Sequence, residues 1–518
     1  MNSAPDTGKT VLRNWGTVGG LTFVSRIAGY ARDLVVAYFL GAGFQSDAFY
    51  VAFRIPNLLR RLFAEGMLSA AFIPVFTEHI KKHGAQSARE GFSATLTVLL
   101  AALGTVTVLG VVFAPQIIRL FASGFETESF ELAVSLLRLM FPYILLVSFA
   151  AISMGVLNSV GHFFAPAFSP LLFNLAFIAG VVFFHDQWSE PAIAAGLGVL
   201  AGGALQSAVN IPFLKSRGFA PQIGGVFKHS PLLKKIGVLM LPQLFGVAVY
   251  NLNIIVNTQY ASYMERGTVS YLYFAERLTE FPLGIGAVAI ATVFLPRLSA
   301  RAADNDMEGF RTDYAGLLKM TLFITLPALA GLAALANPIC SVLFERGEFT
   351  SSDALFSSQA LVGYAAGVWA VAGIRITAPA FFALQDTKTP VRAAAAALVI
   401  NLALGYLLGF SLDLKHTGLA LASSVAAAVN FLILLRLLDK RVGKITARGF
   451  WVWFVKTAGA SAMSAAVAKA VYEIAQTATP QTVALAVAIA VAFTVFILST
   501  RILKIEEAGK LVGMVRGR

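Results

Sequence analysis

A chain of 518 residues that is 57% hydrophobic and only 13% charged is excluded as an ordinary soluble domain, in which about a quarter of residues are charged. Six histidines and a single cysteine, Cys340, exclude an internal disulfide framework, and no CxxC or HExxH spacing points to metal or redox chemistry. The net charge of +13 would suggest a nucleic-acid partner in a soluble protein, but here its placement along the chain is tested first.

Residues 1–14 are polar and lack a small-residue cleavage site, so the first apolar segment is expected to stay in the chain. Apolar runs of about 20 residues, enough to cross ~30 Å of hydrocarbon as a helix, are predicted at 15–40, 47–79, 91–120, 131–159, 164–185, 190–214 and 234–262. They continue at 268–299, 313–343, 353–384, 389–411, 416–437, 449–473 and 480–503. The expected fold is therefore an all-α polytopic membrane protein with fourteen transmembrane helices. Charges and prolines interrupt the second and eighth segments.

The basic residues test that count. With the N-terminus inside, the inner loops hold Lys9 and Arg13; Lys81, Lys82 and Arg89; Lys215, Arg217, Lys228, Lys234 and Lys235; and Arg297, Arg301 and Arg311. They also hold Lys388 and Arg392, then Arg436, Lys440, Arg441, Lys444 and Arg448, and the tail adds Arg501, Lys504, Lys510, Arg516 and Arg518. The outer loops hold only Arg266, Arg346 and Lys415. This asymmetry matches positive-inside topology with both termini cytoplasmic, and it accounts for the charge without nucleic acid.

Landmarks recur at nearly one spacing. Pro56 in FRIPNLL precedes Pro282 in TEFPLGIG by 226 residues, Pro74 precedes Pro296 by 222, and Asn174 in LLFNLAF precedes Asn401 in LVINLAL by 227. Three pairs with small drift indicate a duplication. Six helices per unit is an even number, so the repeats run parallel, as in some alternating-access transporters. The expected domains are an N-lobe at 1–220, a C-lobe at 221–442, and a segment at 443–518 with two extra C-terminal helices and a cytoplasmic tail.

Several charges lie within the apolar segments. Arg26, Arg32 and Asp33 interrupt the first segment; Arg54, Arg60, Arg61 and Glu65 interrupt the second, with Asp47 expected as its helix N-cap. Glu276, Arg277 and Glu280 interrupt the eighth. A mid-membrane arginine costs at least about 3 kcal/mol on insertion scales, so it faces a partner or an aqueous cavity. Part of this is structural pairing, expected for Arg61 with Glu65 and for Glu276 and Glu280 around Arg277. Arg375, in AVAGIRITAPAFF, reads as lone and snorkelling. Arg26, Arg32, Arg60 and Arg277 outnumber the deep carboxylates near them, which suits an acidic or phosphorylated ligand gripped by planar guanidinium forks. The acidic stretches FETESFE (125–131) and ADNDMEG (303–309) read as solvated linkers in loops.

The strings SRIAGYARD, SDAFYVAFRIPNLLRRLFAEG, AAFIPVF, YFAERLTEFPLGIGAVAIATVFLPRLS and LFERGEFT resemble the lipid II flippases of bacterial cell-wall synthesis, the MurJ (MviN) family of the multidrug/oligosaccharidyl-lipid/polysaccharide exporter superfamily. The resemblance runs over essentially the whole chain. It implies two parallel six-helix lobes around a central cleft, with the two extra helices forming a groove for a polyprenyl tail. It also implies a place in the bacterial cytoplasmic (inner) membrane. The partners it implies are lipid II, membrane lipids and other cell-wall synthesis proteins, with no cofactor. The family's functional positions map onto Ser25, Arg26, Arg32 and Asp33, onto Asp47, Asn57 and Arg60, and onto Ser270, Arg277 and Glu280, with the arginines binding the diphosphate and sugar-peptide head group. Some members use an acidic sodium site involving the seventh helix. Here that helix offers Asn251, Asn253 and Asn257 but no carboxylate, which speaks against such a site.

Two other readings stay open. One is a flippase for another lipid-linked glycan or a drug/cation antiporter of the same superfamily, although drug cations favour buried carboxylates. The other, of a different class, is a membrane enzyme acting on polyprenyl diphosphates, which would need a metal-binding acidic pair or a His/Asp constellation at a membrane face.

Overall fold

Hydrocarbon offers no hydrogen bonds, so a spanning segment satisfies its backbone internally. The computed structural model accordingly consists of helices. It describes residues 8–60, 67–224, 230–284, 288–445 and 448–509. The expected Arg61–Glu65 pair, Lys228 and the basic residues from Lys510 onward lie outside these, as does the side chain of Asn251.

The chain divides into two compact units. Unit 1 comprises residues 1–269 and 346–349. It holds α1 (Gly8–Leu40), α2 (Phe44–Arg60), α3 (Met67–Val112), α4 (Ala114–Ala122), α5 (Thr127–Met140), α6 (Tyr143–Ser159), α7 (Phe164–Phe184), α8 (Pro191–Ala208), α9 (Asn210–Ser216) and α10 (Ser230–Ser262). Within it α1 packs on α7, α7 on α8, α2 on α5, α3 on α6, and α10 on α3 and α4.

Unit 2 comprises residues 270–345 and 350–518. Its helices are α11 (Thr268–Pro282), α12 (Val288–Ala303), α13 (Met307–Ala334), α14 (Ala336–Phe344), α15 (Ser351–Ala365), α16 (Val368–Ala383), α17 (Lys388–Tyr406), α18 (Lys415–Val442), α19 (Arg448–Ala475) and α20 (Gln481–Ile502). A π-helical turn at Leu407–Ser411 extends α17. The pairs α17 and α18, α15 and α18, α13 and α19, and α19 and α20 pack together.

Each expected segment is mainly helical where described, with breaks at 113, 141–142, 209, 335 and 366–367. Among the described residues, eight spans are long and apolar enough to cross a membrane, or nine if the pair α15 and α16, bent by 46°, is one span. Fourteen therefore stays a reading of the sequence. The helices α1, α2 and α11, which carry the candidate arginines, are not among the eight, because charges break their apolar runs or the helices are short. Two expected segments are joined: α3 carries the end of the second and most of the third, broken at Gly84, where φ is 79°. The prolines of the repeat, Pro56, Pro74, Pro282 and Pro296, all lie inside helices. Asn174 and Asn401 are both buried.

In lipid, helices associate through close packing and polar contacts rather than through exclusion of water, which favours small residues at their interfaces. The contact of α7 with α8 is built this way. A Cβ on Gly202 would stand 2.7 Å from Phe173 Cδ2 and 2.8 Å from its carbonyl oxygen, and one on Gly180 would stand 3.0 Å from Gly198 Cα. Gly104 on α3 has nothing within 4 Å of that position. Gly202→Ala is therefore expected to lower stability by about 1–3 kcal/mol through overpacking, while Gly104→Ala leaves the melting temperature of the purified protein unchanged or slightly raised. Equal melting temperatures for the two variants would contradict this packing.

Candidate functional site

The charged residues of α1 are held by chemistry close at hand. Asp33 is 2% exposed, and Arg32 folds back so that its Nε and Nη2 donate to Asp33 Oδ1 at 3.1 and 2.8 Å. Adjacent helical positions do not face each other, so the long arginine stem makes this contact possible. The same guanidinium lies 5.9 Å from the centre of the Phe177 ring on α7, a cation–π distance. A guanidinium has five N–H donors, and two of those on Arg32 are committed to Asp33.

Two helical turns earlier, the buried Asn174 of α7 donates through Nδ2 to the backbone carbonyl of Ser25 at 3.2 Å. This fixes α1 to α7 beside Arg26. Arg26 is exposed, with no hydrogen bond or ion pair among the described residues.

On α2, Arg60 donates through Nε to Asn57 Oδ1 at 2.8 Å. The pair sits at i,i+3, one turn apart on one face, so the amide aims the guanidinium. Arg54 instead donates through Nη1 to Thr258 Oγ1 on α10. Asp47 is not the N-cap that the sequence suggested. The helix already begins at Phe44, and the carboxylate, 3% exposed, accepts the backbone N–H of Gly267 at 2.7 Å. Gly267 has φ of +92°, a conformation that favours glycine.

In unit 2, Ser270 is buried, and Arg277 and Glu280 are half-buried on α11. Arg375 is not lone. Its Nη2 donates to Glu280 Oε1 at 2.7 Å, joining α16 to α11 across 95 positions of sequence. Only the rule that an intramembrane arginine seeks a partner signals this pair in the sequence, and snorkelling satisfied the same rule without one.

The acidic stretches also differ from the expected linkers. Glu126 and Glu128 stand at the start of α5 and both pair with Arg266. Arg266 also lies 5.6 Å from the centre of the Phe44 ring, and its hydrogen bond to Glu126 holds it above the usual guanidinium range. Asp306 caps α13 by accepting the N–H of Gly309 at 2.8 Å, which holds its carboxyl below the usual range, and it pairs with Arg301 at 2.6 Å.

Unit 1 thus joins Arg32 with Asp33, Arg60 with Asn57, and Asp47 with Gly267; unit 2 joins Glu280 with Arg375. The seventh-segment amides Asn253 and Asn257 are half-buried. Among the described residues no three His, Cys, Asp or Glu side chains gather closely enough to hold a metal ion. Each unit carries guanidinium, carboxylate and hydroxyl groups, and unit 1 adds amides, the kinds of side chain that bind phosphorylated, hydroxyl-rich molecules.

Comparison with known proteins identifies the family. The profile of the lipid II flippase MurJ family matches residues 36–488. The chain is 37% identical over 457 residues to a probable lipid II flippase MurJ of Vibrio cholerae, covering 86% of each chain. It is 38% identical over 451 residues to the lipid II flippase MurJ of Burkholderia cenocepacia, covering 86% of this chain and 87% of that one. A solved lipid II flippase MurJ in an inward closed conformation superposes with a TM-score of 0.76 at 27% identity, covering 94% of this chain and 98% of that one. An inward-facing multidrug transporter of the MATE family, at 16% identity and a TM-score of 0.68 over 81% of this chain and 95% of that one, shares the fold alone. On a profile match that spans most of its length and relatives above 30% identity across most of theirs, the chain belongs to the lipid II flippase MurJ family.

Proposed function

We propose that this protein moves lipid II, the undecaprenyl-diphosphate-linked disaccharide-pentapeptide, from the inner to the outer leaflet of the bacterial cytoplasmic membrane. The observation that carries this reading is the family match over residues 36–488, joined by relatives named as lipid II flippases over 86% of the chain. Arg26, Arg32, Arg60 and Arg277 bind the diphosphate and sugar-peptide head group. Asp33 and Asn57 orient two of the forks, and Ser25, Ser270 and Glu280 supply further polar contacts. Asp47 acts indirectly, by anchoring the Gly267 turn. No bond is made or broken. Transport proceeds by alternating access of two lobes, residues 1–220 and 221–442.

Residues 443–518 receive the polyprenyl tail. Two features support this. Small residues, Ala468, Ala484 and Ala488, are buried among the helices of this region, and Val455, Ile474, Phe493 and Ile502 are exposed on α19 and α20. A photoactivatable polyprenyl diphosphate is expected to crosslink mainly to α19 and α20; labelling confined to α3–α9 would contradict a tail groove.

Both termini are placed in the cytoplasm, on the basic asymmetry of the loops. In a Cys340→Ser background, an impermeant thiol reagent added to intact spheroplasts is expected to label Glu128→Cys and spare Lys444→Cys. The reverse pattern would invert the topology.

The arginine site has the most direct test. A charge-assisted hydrogen bond to phosphate contributes about 1.5–3 kcal/mol, roughly ten- to a hundred-fold in affinity. Arg60→Ala, Arg277→Ala, and Arg32→Ala combined with Asp33→Asn so that the buried carboxylate is not stranded, are therefore expected to reach wild-type membrane levels yet lose lipid II binding and flipping. Arg→Lys at these positions keeps charge but not the bidentate fork, so it restores activity only in part. Arg375→Ala is the structural contrast: it strands Glu280 and lowers the melting temperature, and adding Glu280→Gln restores it. Wild-type binding in all three site variants, or losses that only follow protein level, would remove the arginines from the substrate site.

A further inference from the structure

One buried cluster of titratable groups has no part in head-group binding. It lies wholly within unit 2, where side chains of α11, α15 and α18 meet. His416, the second residue of α18, is 6% exposed. Its Nε2 lies 3.2 Å from Gln359 Oε1 on α15. Its ring meets Tyr271 of α11 in a T-shaped contact at 5.7 Å and Phe356 of α15 at 5.5 Å. The hydroxyl of Tyr271 donates to Asp353 Oδ1 at 3.0 Å. Asp353, 8% exposed, also closes the N-terminus of α15, where its Oδ2 accepts the N–H of Thr350 at 2.9 Å.

Opposed influences act on His416. The Asp353 carboxylate one hydrogen bond behind Tyr271 favours an imidazolium, and the two neighbouring aromatic rings supply polarizable surface beside it. Desolvation, the adjacent Lys415 and the positive end of the α18 dipole favour the neutral ring. Asp413, three residues earlier, lies in the exposed stretch 411–414, which gives water a short route to the cluster. Tyr271 directly follows Ser270 and shares α11 with Arg277 and Glu280. A change in charge at His416 is therefore felt by the helix that bears three of the substrate residues.

We propose that His416 is a proton-binding site that clamps α11. One proton from the aqueous phase binds the imidazole, and no other covalent bond changes. The imidazolium then draws the Tyr271 ring and its carboxylate partner toward α18, holding α11, α15 and α18 together and slowing the movement of α11 that transport needs. The neutral ring releases the clamp. The consequence for transport rests on the lipid II flippase reading, whereas the proton site itself does not.

Two measurements separate these parts. First, the purified full-length protein in detergent, without lipid II, is melted from pH ~8 to ~5, the range in which histidine side chains titrate. Wild type is expected to gain stability relative to His416→Gln as the pH falls. Tyr271→Phe keeps both rings but releases Asp353, and it should reduce that gain. Second, in proteoliposomes, lipid II flipping by wild type is expected to fall several-fold over the same acidification, while His416→Gln holds its rate. Parallel melting profiles for wild type and His416→Gln would overturn the proton site. If His416→Gln does not fold, an unaltered profile in Tyr271→Phe would overturn it equally. A melting difference with no difference in the pH dependence of flipping would overturn the clamp, and a wild type that moves no lipid II at any pH would fault the transport reading alone.

Discussion

A guanidinium placed among lipid chains has to be held by something, because neither hydrocarbon nor neighbouring backbone solvates it. In α1 the holder of Arg32 is Asp33, with the Phe177 ring on α7 behind it. In α2 the holder of Arg60 is the neutral amide of Asn57, and Arg54 uses the Thr258 hydroxyl. In α16 the holder of Arg375 is Glu280. These partners differ in kind. A carboxylate offsets charge and fixes position, whereas an amide or hydroxyl fixes position alone. Whichever the partner, it fixes the arginine's planar fork in place.

A presented fork also needs a rigid helix beneath it. The contact of Asn174 with the Ser25 carbonyl ties α1 to α7, and α7 is held against α8 by glycines that bring backbone to backbone. Arg26 and Arg32 therefore stand on a helix whose own support is polar contact and close packing, the two forces that remain effective in lipid. In α11 the corresponding support comes from the Tyr271–Asp353 bond and from the Glu280–Arg375 pair.

The helix ends carry a second use of acidic side chains. Asp306 and Asp353 each receive orphan N–H groups at a helix N-terminus, and the glutamates at the start of α5 pair with Arg266. Short acidic runs between apolar segments read as solvated spacers because their composition is that of a loop. Capping depends on where the helix begins, to within a residue, and composition does not resolve that. The same limit explains Asp47, which looked like a cap until the helix was found to start at Phe44.

The sequence by itself determined the broad terms. Apolar runs long enough to cross hydrocarbon, basic loops on one side, and arginines within apolar segments are local properties of the chain, so membrane residence and a helical fold were legible from composition and spacing, and the arginines pointed to an anionic ligand. The family strings named the candidate site residues one by one. Tertiary structure alone decided who holds whom. Arg375 meets Glu280, and Asp47 meets the backbone N–H of Gly267, because segments distant in sequence pack side by side. The repeat's two asparagines show the same limit: Asn174 grips the backbone of α1, whereas Asn401 accepts from Ser423 on α18 at 3.4 Å. A repeated residue marks a shared place in the fold, but its partner is set by three-dimensional packing, which no spacing along one chain encodes.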